Sequence, residues 1–495
     1  MFNAVGEAFV MLFQPGSLLA ALFGLVVGLV VGIIPGIGGP FALALLMPLT
    51  FTMDPTFGVV LLITITSVVV TGGMVPAVLI GIPGTPTNAA NILDGYPMTK
   101  KGQGGRALGA SLTAAGIAGL IGAIVLMVVL PFMRPLILTF GHPELFAISA
   151  FGLCFVAILS EGMLSRALLT TVMGIVFACV GMNPLTGVPR FHLGLLYLWD
   201  GVPMIPVILG LFALPEIMDM YLGKEKAQSK LNMDITKDIM QGVMDVFKHW
   251  FLFIRCSIIG AIIGMIPGLG GETSSFLAYG HAKQSTKKPE EFGNGSIEGV
   301  IAPSAAVTGK EGGALVPTLG FGIPGSTIMA ILLGALTILG YQPGPAMLAS
   351  DAGTIQLIAV LTGLMNLVGS FVCLLFAKQM VKLASIKSEY LLPWVCMFIM
   401  VGAYVPNRSF GDVFITFASG VLGYFMKEYK YPRIGLLLAM VLTFKMELNY
   451  FMAMDRFGIR MLTRPVVMVI IALIIISLGN DFWKKYRKGK AGYSK

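Results

Sequence analysis

The sequence predicts an all-α polytopic membrane protein built from two inverted structural repeats. Three observations carry that prediction. Of its 495 residues, 56% are hydrophobic and 12% charged, about half the roughly 25% charged share of soluble domains. Apolar runs recur along the chain, for example 106–130, 142–160, 165–183, 354–376 and 464–479, and about 20 such residues cross a bilayer. Finally, one pair of glycine-proline interruptions occurs twice, in the same order.

The first interruption, Gly32-Ile33-Ile34-Pro35-Gly36-Ile37-Gly38-Gly39, returns as Gly264-Met265-Ile266-Pro267-Gly268-Leu269-Gly270-Gly271, an offset of 232 residues. The second, Gly81-Ile82-Pro83-Gly84-Thr85, returns as Gly322-Ile323-Pro324-Gly325-Ser326, an offset of 241. A period of half the chain is an internal repeat. Paired Gly/Pro-interrupted apolar segments point to the binding site of a secondary transporter. Each half reads as a span broken at PGxGG, a helix ending at IPG, a short segment and four plainer spans. That makes roughly 11–14 membrane segments with broken or re-entrant helices at the two motifs. The predicted boundaries are an N-terminal repeat at 1–217, a polar linker at 218–249, a C-terminal repeat at 250–480 and a basic tail at 481–495.

Loop charge orients the halves. Lys and Arg mark cytoplasmic loops, and the tail holds Lys484, Lys485, Arg487, Lys488, Lys490 and Lys495. The loop with Lys427, Lys430 and Arg433 and the loop with Lys378, Lys382 and Lys387 then lie inside, and the Lys/Arg-free loop 341–350 outside. Its counterpart in the first half, 97–106, holds Lys100, Lys101 and Arg106 and lies inside, as does the linker. Corresponding loops on opposite faces mean inversion; Arg456, Arg460 and Arg464, placed outside, go against it. Met1–Gly16 lacks a basic start and carries Glu7, so the first span is expected to act as its own insertion signal.

The net charge of +9 is spread over short loops and the tail. No basic, aromatic-laced soluble face is present, so nucleic acid is not an expected partner. Cys154, Cys179, Cys256, Cys373 and Cys396 all lie in apolar segments without metal-pair spacing, and read as small core residues. Neither metal nor catalytic residues are expected: an intramembrane enzyme needs paired acids, a Ser/His pair or HExxH at depth. A channel remains the other alternative, and would need a symmetric ring of carbonyls or charges.

A helix broken in lipid exposes unpaired backbone at several kcal/mol per group, so the break must line a protein-enclosed wet cavity. The half-helix that follows aims free N–H groups and a positive dipole end into it, which suits a carboxylate. On that ground Pro35, Gly36, Gly38, Gly39, Pro267, Gly268, Gly270 and Gly271 are candidate substrate-binding residues. Carbonyls freed before the break suit a coupling cation, which nominates Gly32 and Gly264, with Glu272 just beyond. Thr273 and Ser274 add hydroxyls. After the IPG breaks, Thr85, Thr87, Asn88, Asn91, Ser326 and Thr327 supply neutral donors and acceptors; ordinary capping is the alternative reading. Asp94-Gly95-Tyr96-Pro97 reads as a turn, with Asp94 structural. Segment 297–321 carries Glu298, Thr308, Lys310 and Glu311 where its apolar counterpart 57–80 has no ionisable group. Ionisable groups at membrane depth mark a functional path or an internal pair; Lys310 either neutralises a bound carboxylate or pairs with Glu311. Lys445 and Glu447, inside the 434–453 span, read as a mutual or snorkelling pair near its end.

These stretches resemble the large membrane subunit of the tripartite tricarboxylate transporters, the TctA family. The resemblance is carried by Gly32–Pro40, Gly81–Gly105, Gly187–Glu216, Gly264–Gly271, Phe292–Pro303, Gly312–Pro345 and Asn407–Pro432, and so covers essentially the whole chain. It implies a multi-pass permease of a bacterial inner membrane, working with a small four-span membrane subunit and a periplasmic substrate-binding protein that delivers an organic carboxylate. An Na⁺ or H⁺ gradient drives such uptake and no cofactor is implied; a homo-oligomer is compatible with it. No GxxxxGK[ST] nucleotide loop is present. The family usually continues after Ala302-Pro303 with an acidic residue and then two asparagines before the double glycine. Here the stretch reads Ser304-Ala305-Ala306-Val307-Thr308-Gly309-Lys310-Glu311-Gly312-Gly313, so the substrate is not carried over from the family.

Overall fold

The computed structural model describes residues 2–34, 38–159, 164–183, 185–222, 238–267, 270–384, 392–472 and 474–475. Apolar sequence becomes helix because lipid offers the backbone no hydrogen-bond partner but itself. The helices of the first half are α1 (Phe2–Leu12), α2 (Pro15–Ile33), α3 (Gly39–Leu46), α4 (Pro55–Leu79), α5 (Ala89–Lys100), α6 (Gly104–Leu138), α7 (His142–Leu159), α8 (Leu164–Ala178), α9 (Met204–Ile208) and α10 (Leu214–Tyr221). Those of the second are α11 (Ile239–Lys248), α12 (Trp250–Met265), α13 (Gly270–Ser285), α14 (Ile297–Phe321), α15 (Thr327–Ile338), α16 (Pro345–Ser350), α17 (Ala352–Leu375), α18 (Ala377–Ala384), α19 (Leu392–Tyr404), α20 (Phe410–Glu428) and α21 (Arg433–Phe457). Two short strands, β1 (Gly181–Met182) and β2 (Pro189–Arg190), pair antiparallel in one loop. This is an all-α, multi-pass membrane protein.

Five described stretches are long and apolar enough to cross a membrane unaided: Pro15–Ile33, Pro55–Leu79, Gly104–Pro135, Ala352–Leu375 and Arg433–Thr463. A sixth appears if α11 and α12, bent by 80°, count as one. The expected roughly 11–14 membrane segments include broken and re-entrant pieces, which are too short to be counted among these five or six. Glycine-proline breaks leave pieces such as Gly39–Thr52 and Thr327–Ile338 too short to span alone. α4 from Gly58 to Leu79 and α14 from Gly299 to Gly320 are buried on every side. Apolar side chains lie exposed on outer helices, including Leu18, Leu22 and Val26 of α2 and Phe414, Phe417 and Val421 of α20. A surface of that kind belongs in lipid.

Packing recurs with the sequence. α2 crosses α4 so closely that a Cβ on Gly32 would lie 2.3 Å from the carbonyl oxygen of Val69. α12 crosses α14 in the same way: a Cβ on Gly264 would lie 2.4 Å from the carbonyl oxygen of Lys310. After the IPG breaks, Gly84 packs on Gly73 and Gly325 on Ala314. α11 lies on the start of α6, with Ile239 beside Gly109, and α1 lies on the start of α17, with Glu7 beside Gly353.

α4 and α14 run in opposite directions. α4 ends where Thr99 Oγ1 donates to the carbonyl of Val78 (2.9 Å), next to Gly104. α14 begins at that end, where the N–H groups of Gly293, Gly295 and Ser296 donate to Asp94 Oδ1 at 2.9, 2.7 and 2.8 Å. Asp94 thus lies within α5 rather than in the expected turn, and clamps the two halves together. α14 ends at the opposite face, where the Gly344 N–H donates to Leu319 O (2.9 Å) and Lys445 Nζ to Pro343 O (3.0 Å). Lys445 and Glu447 are not a mutual pair, because Glu447 takes two hydrogen bonds from Arg190 at 2.6 and 3.0 Å. Neighbours 199 to 257 residues apart in sequence, such as Asp94 with Gly293 and Arg190 with Glu447, are decided by folding, and no local spacing announces them.

Candidate functional site

Each break turns the chain so that a new helix starts inside the protein. α3 starts at Gly39, α13 at Gly270 and α15 at Thr327, while Pro86–Asn88 forms a single 3₁₀ turn leading into α5. The four starts converge on one cavity of about 660 Å³, lined by Gly38, Gly39, Thr85, Thr87, Gly270, Gly271, Glu272, Lys310, Ser326 and Thr327 among others. That volume falls in the range of about 300–1,000 Å³ typical of ligand pockets. Two starts come from each half, so the repeat motifs that lie far apart in sequence build one site.

The start of α5 is pre-arranged. Thr85 Oγ1 lies 2.7 Å from Thr87 Oγ1, and Asn88 Nδ2 donates to both Thr85 Oγ1 (3.0 Å) and Val70 O (2.9 Å). At the start of α15, Ser326 Oγ accepts from the Met329 N–H at 3.4 Å. Gly271 has to lack a side chain: a Cβ there would lie 2.4 Å from Thr87 Cγ2 and 3.6 Å from Lys310 Nζ. Lys310 is 1% exposed, and its Nζ reaches the cavity while lying 2.7 Å from Glu311 Oε1. Of the two sequence readings of Lys310, the pairing with Glu311 is present, and the side chain lines the cavity as well.

Not every predicted residue lines the cavity. Gly32 and Gly264 are helix-crossing points. Asn88 braces Thr85, and Asn91 is fully buried with both amide atoms lacking a hydrogen-bond partner. The hydroxyls of Ser274 and Thr308 donate to the backbone of their own helices, at Gly271 O (2.9 Å) and Ser304 O (3.1 Å). Thr273 and Pro267 are close in sequence to the cavity but not in its lining. Pro35, Gly36 and Gly268 lie outside the described residues.

Among the lining residues that sequence reasoning missed are Phe212, Glu216, Lys427 and Arg433. Lys427 Nζ contacts Glu216 Oε2 (2.6 Å) and Asp219 Oδ2 (2.5 Å). Arg433 Nη1 donates to Leu211 O (2.9 Å), its Nη2 lies 3.6 Å from Glu216 Oε1, and its guanidinium sits over the Phe212 ring. Charges at the ends of apolar segments were the available signal. Their partners are more than 200 residues away, so pairing could not be read locally. Among the described residues no three His, Cys, Asp or Glu side chains gather as a metal site.

In chemical terms the cavity is suited to an anion. Helix starts offer unpaired N–H groups and partial positive charge, and Lys310, paired with Glu311, joins Lys427 and Arg433 in a lining that also holds the acids Glu216 and Glu272. Residues 18–438 match the model of the tripartite tricarboxylate transporter TctA family. A protein of Agrobacterium vitis, described as an uncharacterized 52.8 kDa protein in the TAR-I ttuC' 3' region, is 31% identical over 438 residues, covering 86% of this chain and 85% of its own length. A second Agrobacterium vitis protein, described as uncharacterized and in the TAR-II ttuC' 3' region, is 33% identical over 183 residues, 37% of this chain and 76% of that protein. No solved structure matches the chain. The broken helices, the anion-suited cavity and the match across most of the length agree, and the chain belongs to the tripartite tricarboxylate transporter TctA family.

Proposed function

We propose that the chain is the permease of an ion-gradient-driven uptake system for an organic carboxylate. A periplasmic binding protein delivers the substrate, and a small four-span membrane subunit completes the complex in a bacterial inner membrane. The observation that carries this reading is the convergence of four helix starts and the buried Lys310 on one cavity. Dehydrated carboxylates need such donors, because water no longer supplies them.

Alternating access follows from two inverted repeats enclosing the site. The repeated glycine contacts and the opposed directions of α4 and α14 support inversion. Lys100, Lys101, Arg106, Lys287 and Lys288 lie on loops and helix ends at the face where α4 ends, which supports a cytoplasmic assignment for that face. Lys427, about a third exposed at 32%, stands at the cavity rim on the loop that the same rule places inside.

The test is uptake in cells expressing the complete complex. Lys310→Met should raise the apparent KM more than tenfold, since truncating one partner of a buried charge pair costs about 2–5 kcal/mol. The double variant Lys310→Met/Glu311→Gln removes the stranded acid as well. It should stay impaired; full recovery would refute carboxylate binding by Lys310.

A further inference from the structure

Glu311 is not in the cavity lining; it lies in a small second pocket with Ile63, Thr66, Ser67, Leu315, Met329 and Thr362 that has no room for a water molecule. It is 1% exposed, and beyond the Lys310 ammonium neither carboxylate oxygen has a polar partner. The neighbouring hydroxyls are committed elsewhere. Thr66 donates to Leu62 O (2.7 Å), Ser67 to Ile63 O (2.9 Å) and Thr362 to Ile358 O (2.8 Å). The Lys310 ammonium, in ion-pair contact at 2.7 Å, is what balances the charge of Glu311.

Among the described residues no other charge is seen in contact with it; in α5, Asp94 is bound at the start of α14 and Lys100 lies over the Tyr96 ring. α4, α15 and α17, which supply the pocket, contain no Asp, Glu, Lys, Arg or His. In α12 the only such residue, Arg255, is tied to Ser285, and in α6 Arg106 is tied to Asp245 near the helix start while Arg134 lies near its far end. α13 carries Glu272, His281 and Lys283; Glu272 lines the cavity, and the other two lie towards the end of that helix. α14 itself adds Glu298, beside His249 at 3.6 Å and more than three turns away.

Resting on the reading of the cavity as a carboxylate site, we propose that Glu311 is the proton-coupling group of this transporter, and that substrate and proton exchange places on Lys310. A substrate carboxylate entering the cavity draws the Lys310 ammonium away from Glu311. The carboxylate left behind is buried, unsolvated and unpartnered, a state that neutralises rather than persists. One proton from the side on which substrate enters adds to one Glu311 oxygen, and no other bond changes. Substrate without proton strands an acid, and proton without substrate strands an ammonium. Both half-loaded forms are disfavoured, so one proton moves with one substrate at this pair. A metal cation does not fit the Glu311 side, which has no free space and an ammonium already in contact.

Two measurements test this. Infrared difference spectra of the purified protein at neutral pH should show a protonated-carboxyl carbonyl band in Lys310→Met that is absent from wild type and from Lys310→Met/Glu311→Gln. Absence of that band in Lys310→Met would overturn the proposal. In right-side-out membrane vesicles holding the complete complex, with citrate, tartrate and succinate as probes, wild type should accumulate substrate when the outside is made acidic. Glu311→Gln should keep substrate counterflow within about threefold of wild type and lose the acid-driven accumulation. Persistence of that accumulation in Glu311→Gln would overturn the coupling role. Loss of both activities together with an unchanged infrared result would overturn it too, by making Glu311 part of binding. If wild-type vesicles move none of the carboxylates, the carboxylate reading falls and the coupling step with it. The infrared result still decides separately whether Lys310 alone keeps Glu311 ionised.

Discussion

Gly264→Ala places one methyl group in the close crossing of α12 and α14. Its Cβ would lie 2.4 Å from Lys310 O, 2.9 Å from Ala314 N and 3.1 Å from Lys310 Cγ. Two of those three atoms are backbone, so a rotamer change does not relieve the contact. An ordinary van der Waals approach requires α12 and α14 to part by about 1 Å, and overpacking of this kind costs about 1–3 kcal/mol. The separation also disturbs the site, because Gly264 O packs against Gly325 of the IPG break and Lys310 projects from the displaced helix. Gly280→Ala is the control, since a Cβ there meets nothing within 4 Å. It should be neutral or gain up to about 1 kcal/mol of helix propensity. Thermal unfolding in detergent, read as loss of the monodisperse peak on size exclusion, should rank Gly264→Ala well below Gly280→Ala, and uptake should fall with it. Equal stability and equal uptake in the two variants would refute the close crossing.

Three further outcomes are expected. Gly271→Ala should lower uptake because its Cβ would meet Thr87 Cγ2 at 2.4 Å, and Thr87→Ser, which deletes that methyl, should restore part of the loss. Asp94→Ala leaves the N–H groups of Gly293, Gly295 and Ser296 without their acceptor, at about 1–3 kcal/mol per buried unsatisfied group; detergent unfolding should show it less stable than Asp94→Asn, which keeps Oδ1. Cysteines placed one at a time in a cysteine-free background at Ser350 and Lys101, both exposed, should be labelled from opposite sides, Ser350→Cys from outside intact spheroplasts and Lys101→Cys only after lysis. Labelling of both from the same side would refute the opposed orientation.

The sequence by itself determined that the chain is a membrane protein, that its helices break at PGxGG and IPG, and that these breaks matter twice. Those features are local: apolar run length and the missing donors and side chains of Pro and Gly act within a few residues. Thr85, Thr87, Ser326 and Thr327 were legible for the same reason, since they directly follow a break that starts a helix. Tertiary structure alone decided that four starts meet in one cavity, that Thr308 turns to its own helix, and that Glu447 pairs with Arg190 rather than Lys445. It also decided the double role of Lys310. A lysine beside a glutamate in sequence can pair along the helix or point elsewhere; α12, α13 and the first-half turn at Thr87 enclose Lys310 so that it does both. Local spacing sets where a helix stops and starts, but the packing of segments hundreds of residues apart sets what each newly exposed N–H and buried charge will face.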